Sequence, residues 1–264
     1  MSSIISAVRA GMTTIDLNSD MGEYDTPELL AREAEIMPLI TSANIACGAH
    51  AGHPDLMRRT ARLAARYNVA IGAHPGFPDT EDFGRRDRQI SAEEVVSLVS
   101  TQLKILAGVL ASEQLTLAHV KLHGALYTLA ARDRAVADAV ARAITSFDPH
   151  LLLFALAGSE LAKRGRTAGL TVIQEAFADR AYRSDGTLVP RIQPDALLET
   201  PQQVQQQLRA ILKGSITSID GQSVPIQAAT LCVHLDSPHA AEFLQLIRLE
   251  IQSAGIRIAK PVQA

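Results

Sequence analysis

Two tripeptides, Gly48-Ala49-His50 and Gly72-Ala73-His74, set histidines 24 residues apart. Each ends a short apolar run and precedes a turn containing Gly or Pro. A third run carries His119, Lys121 and His123, and the first carries Asn18 and Asp20. Imidazoles titrate near neutral pH and act as general acids or bases. A lysine inside an apolar run needs an acidic partner or an anionic ligand. Asp20, His50, His74, Lys121 and His123 are therefore the candidate catalytic residues: water activation by Asp20 or a histidine, and charge stabilisation by Lys121. The competing reading of His50 and His74 is turn histidines satisfied by backbone, and that of Asp20 with Glu23 is turn chemistry rather than cation or water binding.

A spacing of 24 residues is about one strand plus one helix, the repeat of a barrel whose active site sits at the carboxyl ends of its strands. Strand-like runs lie near residues 14–20, 40–47, 69–74, 117–123, 151–156, 171–177 and 230–236, with a weak one near 256–259. Helix starts between them are marked by His53-Pro54, by a capping box of Ser91 with Glu94, and by Thr200-Pro201 and Ser237-Pro238. Val136, Val140 and Ile144 form one helical core stripe, and Phe243, Ile247 and Ile251 another. Alternating strands and helices predict an α/β fold with a parallel sheet: a TIM-like (β/α) barrel with seven clear strands and a doubtful eighth, one domain spanning 12–264. Residues 1–11 are read as a disordered extension.

Strand parity sharpens the site, because successive side chains point to opposite faces. Ile15 and Leu17 oppose Asp16, Asn18 and Asp20; Val120 and Leu122 oppose His119, Lys121 and His123; Leu231, Val233 and Leu235 oppose Cys232, His234 and Asp236. The apolar face suits packing under helices and the polar face points inward. The glycines of the two tripeptides are expected to keep the mouth open for a small ligand. Residues 75–89, with Gly76, Pro78, Gly84 and an Arg85-Arg86-Asp87-Arg88 cluster, are the longest non-helical stretch and a candidate lid. His119 is expected to be buried and bonded, His53 to be a cap or rim residue, and His150 and His239 to be solvated. Cys47 and Cys232 read as small core residues.

Composition narrows the class. Twenty-five Lys and Arg against 28 Asp and Glu give a net charge of −3, without a basic block, so no nucleic-acid footprint is expected. Two cysteines suit a reducing cytosol better than a disulfide framework. No uninterrupted apolar run approaches the ~20 residues that span a bilayer. The motifs of P-loop ATPases, Rossmann enzymes, zincins and serine hydrolases are all missing.

The chain resembles the LamB/YcsF family, the A subunits of prokaryotic ATP-dependent 5-oxoprolinase. The resemblance rests on Asp16–Glu23 (DLNSDMGE), Thr41–Pro54 (TSANIACGAHAGHP), Ile71–Asp79 (IGAHPGFPD), Phe83–Arg86 (FGRR), Val120–Tyr127 (VKLHGALY), Glu175–Tyr182 (EAFADRAY) and Cys232–Asp236 (CVHLD), in order from Thr13 to Pro261. It departs at His53, where the family has Asp, at Leu122 for Pro, at Leu235 for Gly, and in the less glycine-rich YDTPE after Glu23. A change at His53 would alter specificity if that position touches substrate. The resemblance implies a cytoplasmic enzyme that opens 5-oxo-L-proline to L-glutamate using ATP and partner subunits B and C, with the nucleotide handled in part by a partner. Asn18, Asn44, Arg85, Glu175, Arg180, His234 and Asp236 are then expected to bind substrate or phosphate. Two alternatives stay open: a metal-dependent amide hydrolase or deacetylase with a divalent ion on Asp20, His74 and His123, and a non-catalytic subunit that only binds the lactam. Either is compatible with a homo-oligomer.

Overall fold

The computed structural model describes residues 12–234 and 239–262, so the predictions for residues 1–11, Leu235, Asp236 and Ser237-Pro238 lie outside it. Seven parallel strands close into a barrel: β1 (Thr14–Met21), β2 (Ser42–Ala46), β3 (Ala70–His74), β4 (His119–Lys121), β5 (Leu152–Leu156), β6 (Val172–Phe177) and, later in the chain, β9 (Thr230–Cys232). Closure runs through β9, which pairs β6 on one side (Glu175 opposite Thr230) and β1 on the other (Asp16 opposite Thr230). Helices α1 (Pro27–Ile36), α2 (Pro54–Arg66), α3 (Ala92–Ser112), α4 (Gly124–Arg132), α5 (Arg134–Phe147), α6 (Glu160–Thr167), α7 (Pro201–Lys213) and α8 (Ala240–Ser253) complete the layer architecture. The weak last run forms a two-residue strand, β10 (Arg257–Ile258), which pairs Thr14 and Ile15. From Asp16 onward that edge of β1 is taken by β9, so β10 extends the barrel floor instead of entering the barrel.

The helix starts follow local chemistry. Ser91 and Glu94 form a reciprocal capping box at α3, and Thr200 with Gln203 forms another at α7. His53 is the N-cap of α2, its ring accepting from the Leu56 amide at 3.4 Å, and it pairs with Asp25 at 3.1 Å. It is exposed and is not among the residues lining the cleft at the barrel mouth, so the departure at His53 falls on a helix cap. Caps of this kind contribute about 1 kcal/mol each. The stripes Val136-Val140-Ile144 and Phe243-Ile247-Ile251 are buried. Helix α3 is long and apolar enough, by length and composition, to cross a membrane; here Val95, Val99, Leu103, Leu106 and Leu110 give it a buried stripe against the fold.

Two features escaped the periodicity. An antiparallel hairpin, β7 (Ser215–Thr217) with β8 (Ser223–Pro225), follows α7, whose end at left-handed Gly214 (φ 90°) turns the chain into it. Residues 178–200, not 75–89, form the longest stretch without helix or strand, braced by bridges Arg180–Leu197 and Tyr182–Leu188. Three-residue strands and isolated bridges are too short to show a period.

Inside the barrel, Gly72 does not hold the mouth open. A Cβ there would lie 2.0 Å from His119 Nε2, so the glycine makes room for the buried His119 ring, which stacks on Phe154. Gly48 serves its backbone, with φ +86°. Gly72→Ala should therefore destabilise the fold by roughly 1–3 kcal/mol through overpacking, measured by denaturant unfolding; an unchanged midpoint would contradict this packing.

Glu33 of α1 accepts the Gly22 amide at 2.5 Å and the Thr60 hydroxyl at 3.3 Å, tying the end of β1 to two helices. Burial pushes its carboxyl up to about 7 against an ordinary 4.5, although the Gly22 amide opposes the rise. Between those values the folded state holds a proton that the unfolded chain has lost, so stability falls as pH rises through the window and levels off above it. Glu33→Gln should remove that part of the pH dependence and stabilise the protein by roughly 1–3 kcal/mol at pH 8, read from urea unfolding at pH 5 and 8.

Candidate active site

The polar parity of β1, β4 and β9 points into the barrel, where it builds two layers. In the lower one Asn18, Asn44, His119 and Glu175 are fully buried. The His119 ring donates to Asn44 Oδ1 at 2.8 Å, and Asn44 donates to Asn18 Oδ1 and Asp20 Oδ1, each at 2.8 Å. Asn18 donates in turn to Glu175 at 2.9 Å and Thr230 at 2.8 Å. Burial first, then the Lys121 charge, pushes the His119 imidazole down to about 3, so the ring stays neutral. These residues lie beneath the mouth rather than on its wall. For Asn18, Asn44 and Glu175 the expected contact with substrate gives way to support of the residue above them.

That residue is Lys121. Its ammonium reaches Asp20 Oδ1 at 2.9 Å, Asn18 Oδ1 at 3.1 Å, Glu175 Oε1 at 3.1 Å and Cys232 Sγ at 3.0 Å. Burial opposes its charge, yet Asp20, Cys232 and Glu175 hold it well above the usual lysine range. Burial likewise acts to raise Asp20, but His74 and Lys121 outweigh it and hold the carboxyl well below its ordinary value. Tyr127, absent from the sequence-based set, donates to Glu175 at 2.7 Å and fixes its second oxygen. Cys232 is therefore more than a small core residue, since it lies on the ammonium.

The upper layer is a cluster of histidines. His50 and His123 stack with ring centroids 3.7 Å apart, and His74 meets both edge-on. His74 donates from Nδ1 to the Lys121 carbonyl at 2.9 Å, and His123 from Nε2 to the Phe83 carbonyl at 2.8 Å. Desolvation lowers the pKa of His50 and, with the His50 and His74 charges adding to it, that of His123 well below the usual imidazole value. The loop 75–89 closes over this cluster: Phe83 meets the His50 and His123 rings edge-on and stacks on Tyr24. Added Cβ atoms at Gly76 and Gly84 would lie 2.9 Å from His50 atoms, so these glycines allow the close approach.

A cleft of about 550 Å³, part of it open to solvent, lies above. Asp20, Glu23, His74, Lys121 and His123 line it, together with Arg85, Tyr127, Phe177, Arg180, Arg191 and His234. Leu122 reaches the cleft edge as well as packing in the core. Arg180 is buried and donates to the carbonyls of Val189 at 2.7 Å and Ala196 at 3.4 Å, so it braces the segment 178–200 as it faces the cleft. His234 is held by Asp179 at 2.8 Å; burial raises the Asp179 carboxyl, but the charge and hydrogen bond of His234, with Arg191 and Arg180, together bring it to about 2. Of the catalytic set, His50 alone is behind the wall. His150 and His239 are exposed, as expected.

Among the described residues, two groups of metal-ligand type converge, Glu23-His50-His74-His123 and Asp20-Cys232-His234. The second corner is filled by the Lys121 ammonium, and burial keeps the Cys232 thiol protonated, with its pKa well above the ordinary value. The ligand set expected from sequence, Asp20-His74-His123, thus differs from the one that converges: Asp20 Oδ1 accepts from Lys121, while Glu23 faces all three histidines. Glu23 is followed by non-helical chain and lies outside strand parity, which is why its inward aim was not evident.

Both cysteines are fully buried, and burial raises the Cys47 thiol to about 12. Neither should react with Ellman's reagent in the native protein, and both should react on unfolding; fast native labelling would show that the interior opens.

Residues 15–264 match the LamB/YcsF family. The 5-oxoprolinase A subunit of Symbiobacterium thermophilum is 48% identical over 256 residues, 97% of this chain and 98% of that protein. Its namesake from Bacillus subtilis is 48% identical over 94% of this chain and 96% of its own length. The crystal structure of a lactam utilization protein from Thermus thermophilus superposes with a TM-score of 0.83 at 42% identity, covering 94% of this chain and 99% of that one. The same barrel and near full-length coverage leave one conclusion: the chain belongs to the LamB/YcsF family.

Proposed function

We propose that this chain opens the lactam ring of 5-oxoproline to give glutamate, as the A component of an ATP-coupled complex with subunits B and C. The observation that carries this reading is the charge arrangement of the cleft. Four basic side chains, Lys121, Arg85, Arg180 and Arg191, line this one cleft, a set of cations that a small anion would meet. Burial, and next the neighbouring Arg191, lower Arg180 to about 10, while Asp179 opposes the fall. The names of the relatives and the lactam utilization protein point to the same substrate class.

The chemistry explains the need for ATP. A five-membered lactam is a resonance-stabilised amide with little strain. Phosphorylation of its oxygen by ATP, releasing ADP, makes the ring carbon electrophilic. Water adds there, its proton passing to the cluster of Glu23, His74 and His123, and the adduct breaks its C–N bond as the nitrogen takes up a proton. The resulting acyl phosphate loses phosphate to a second water and leaves glutamate. Lys121 stabilises the oxyanion of the adduct, and Arg180 with Arg191 meets the phosphate or the substrate carboxylate. Asp20, held well below the carboxylate range, is a weak base and serves as the fixed anion that orients Lys121 and His74. The phosphorylation step is assigned to the partner subunits, in keeping with the missing phosphate-loop motif.

With both partner subunits present, Lys121→Ala and His123→Ala should each lower 5-oxoproline-dependent glutamate formation by roughly 100-fold or more, with circular dichroism confirming the fold. Full ATP-coupled activity in either folded variant would overturn the assignment.

A further inference from the structure

The histidine cluster has an unusual hydrogen-bond pattern. Carbonyl oxygens only accept, so the Lys121 carbonyl requires the proton of His74 on Nδ1, and the Phe83 carbonyl requires that of His123 on Nε2. The two remaining nitrogens, His74 Nε2 and His123 Nδ1, then face each other as lone pairs only 2.9 Å apart. Glu23 Oε1 lies 3.3 Å from His123 Nδ1, 3.3 Å from His50 Nε2 and 3.9 Å from His74 Nε2. Glu23 Oε1 and both His50 nitrogens are buried without a hydrogen-bond partner. An extra proton on His74 Nε2 would meet His123 Nδ1 or Asp20 Oδ2, 3.3 Å away, and a proton on His50 Nε2 would meet Glu23, so protons can settle these atoms only with His74 charged. A cation among the four donors would meet Glu23 Oε1 and one nitrogen of each histidine at once, leaving only the second His50 nitrogen.

The distances fit such an ion. Bonds of about 2.0–2.1 Å at tetrahedral angles set donor atoms about 3.3 Å apart; here Glu23 lies 3.3 Å from two of the nitrogens and 3.9 Å from the third, two nitrogens are 2.9 Å apart, and all four donors lie within 4.8 Å of one another. The carbonyl bonds on the far nitrogens of His74 and His123 are the outer-shell contacts that orient metal-binding imidazoles. Lys121 is engaged by Asp20 and Glu175 and does not serve Glu23. We propose that Glu23, His50, His74 and His123 form a mononuclear site for a divalent transition-metal ion of the Zn²⁺ class. Three imidazoles and one carboxylate favour such ions over Mg²⁺ or Ca²⁺, which prefer oxygen. The site goes beyond the lactam reading and stands without it, since an ion on these side chains would take the place of the proton assigned to them there.

The test uses the full chain alone, with neither partner subunits nor 5-oxoproline. Chelator-stripped protein, titrated with ZnCl₂ against a competing chromophoric chelator, should take up one Zn²⁺ per chain. Glu23→Gln and His123→Ala should weaken uptake by roughly 100-fold, the upper end of what outer-shell changes alone cause, while His150→Gln should bind as wild type. Co²⁺ bound to the wild-type chain should show the intense visible bands of a four- or five-coordinate ion. If the ligand variants do not fold, that spectrum decides. Absence of saturable Zn²⁺ uptake, wild-type affinity in a folded Glu23→Gln variant, or a weak six-coordinate Co²⁺ spectrum would each overturn the site. In a separate assay with both partner subunits and 5-oxoproline, failure of the wild-type chain to form glutamate despite intact metal uptake would count against the lactam reading and leave the metal site standing.

Discussion

The structure depends on a single buried charge, the ammonium of Lys121, which is 2% exposed inside the barrel. An unpaired cation there would be prohibitive, so the interior is organised to surround it. Asp20, Asn18, Glu175 and Cys232 supply its partners from β1, β6 and β9, four strands including its own. Asn44, Tyr127 and His119 then hold those partners in place. Removing one member of such a buried network typically costs about 3–5 kcal/mol, because the other charges stay behind without compensation. The polar interior is thus a single interlocked unit, and packing of the strands and placement of the ammonium are the same problem.

The mouth above collects groups of both signs. Carboxylates and imidazoles, Asp20, Glu23, His74 and His123, line it together with the guanidinium groups of Arg85, Arg180 and Arg191. The former can take a proton or hold a cation, and the latter can meet an anion. Two loops shape it. The segment 75–89 lays Phe83 and two glycines against the histidine stack, and the segment 178–200 wraps around Arg180 through its carbonyl bonds. Both are braced by buried contacts, so the cleft is largely formed before a ligand arrives.

Much of this was legible from the chain alone. Period-two alternation in residues 14–20, 117–123 and 230–236 separates the inward residues from those under the helices, and the observed strands Thr14–Met21, His119–Lys121 and Thr230–Cys232 keep that parity. The capping residues Ser91, Glu94 and Thr200 start helices where expected, because capping is settled within one turn. Parity names a face but not a depth. For that reason Asn18, Asn44 and Glu175 share the face of Asp20 and Lys121 yet lie a layer lower, and His50 shares the rim of His74 yet sits behind His123. Gly72 shows the same limit: its close neighbour is His119, far along the chain on β4.

The sequence by itself determined the barrel class, the inward face and the family motifs, since all three rest on local pattern: periodicity, caps, and residue types at short spacing. Only the tertiary structure decided which polar residues touch each other. Glu23 joins three histidines from three different segments, Tyr127 reaches Glu175 across the barrel, and Arg180 faces Arg191 through a loop without period. These contacts arise because barrel closure brings the ends of separate strands together, and the loops after them follow backbone hydrogen bonds that no local pattern records.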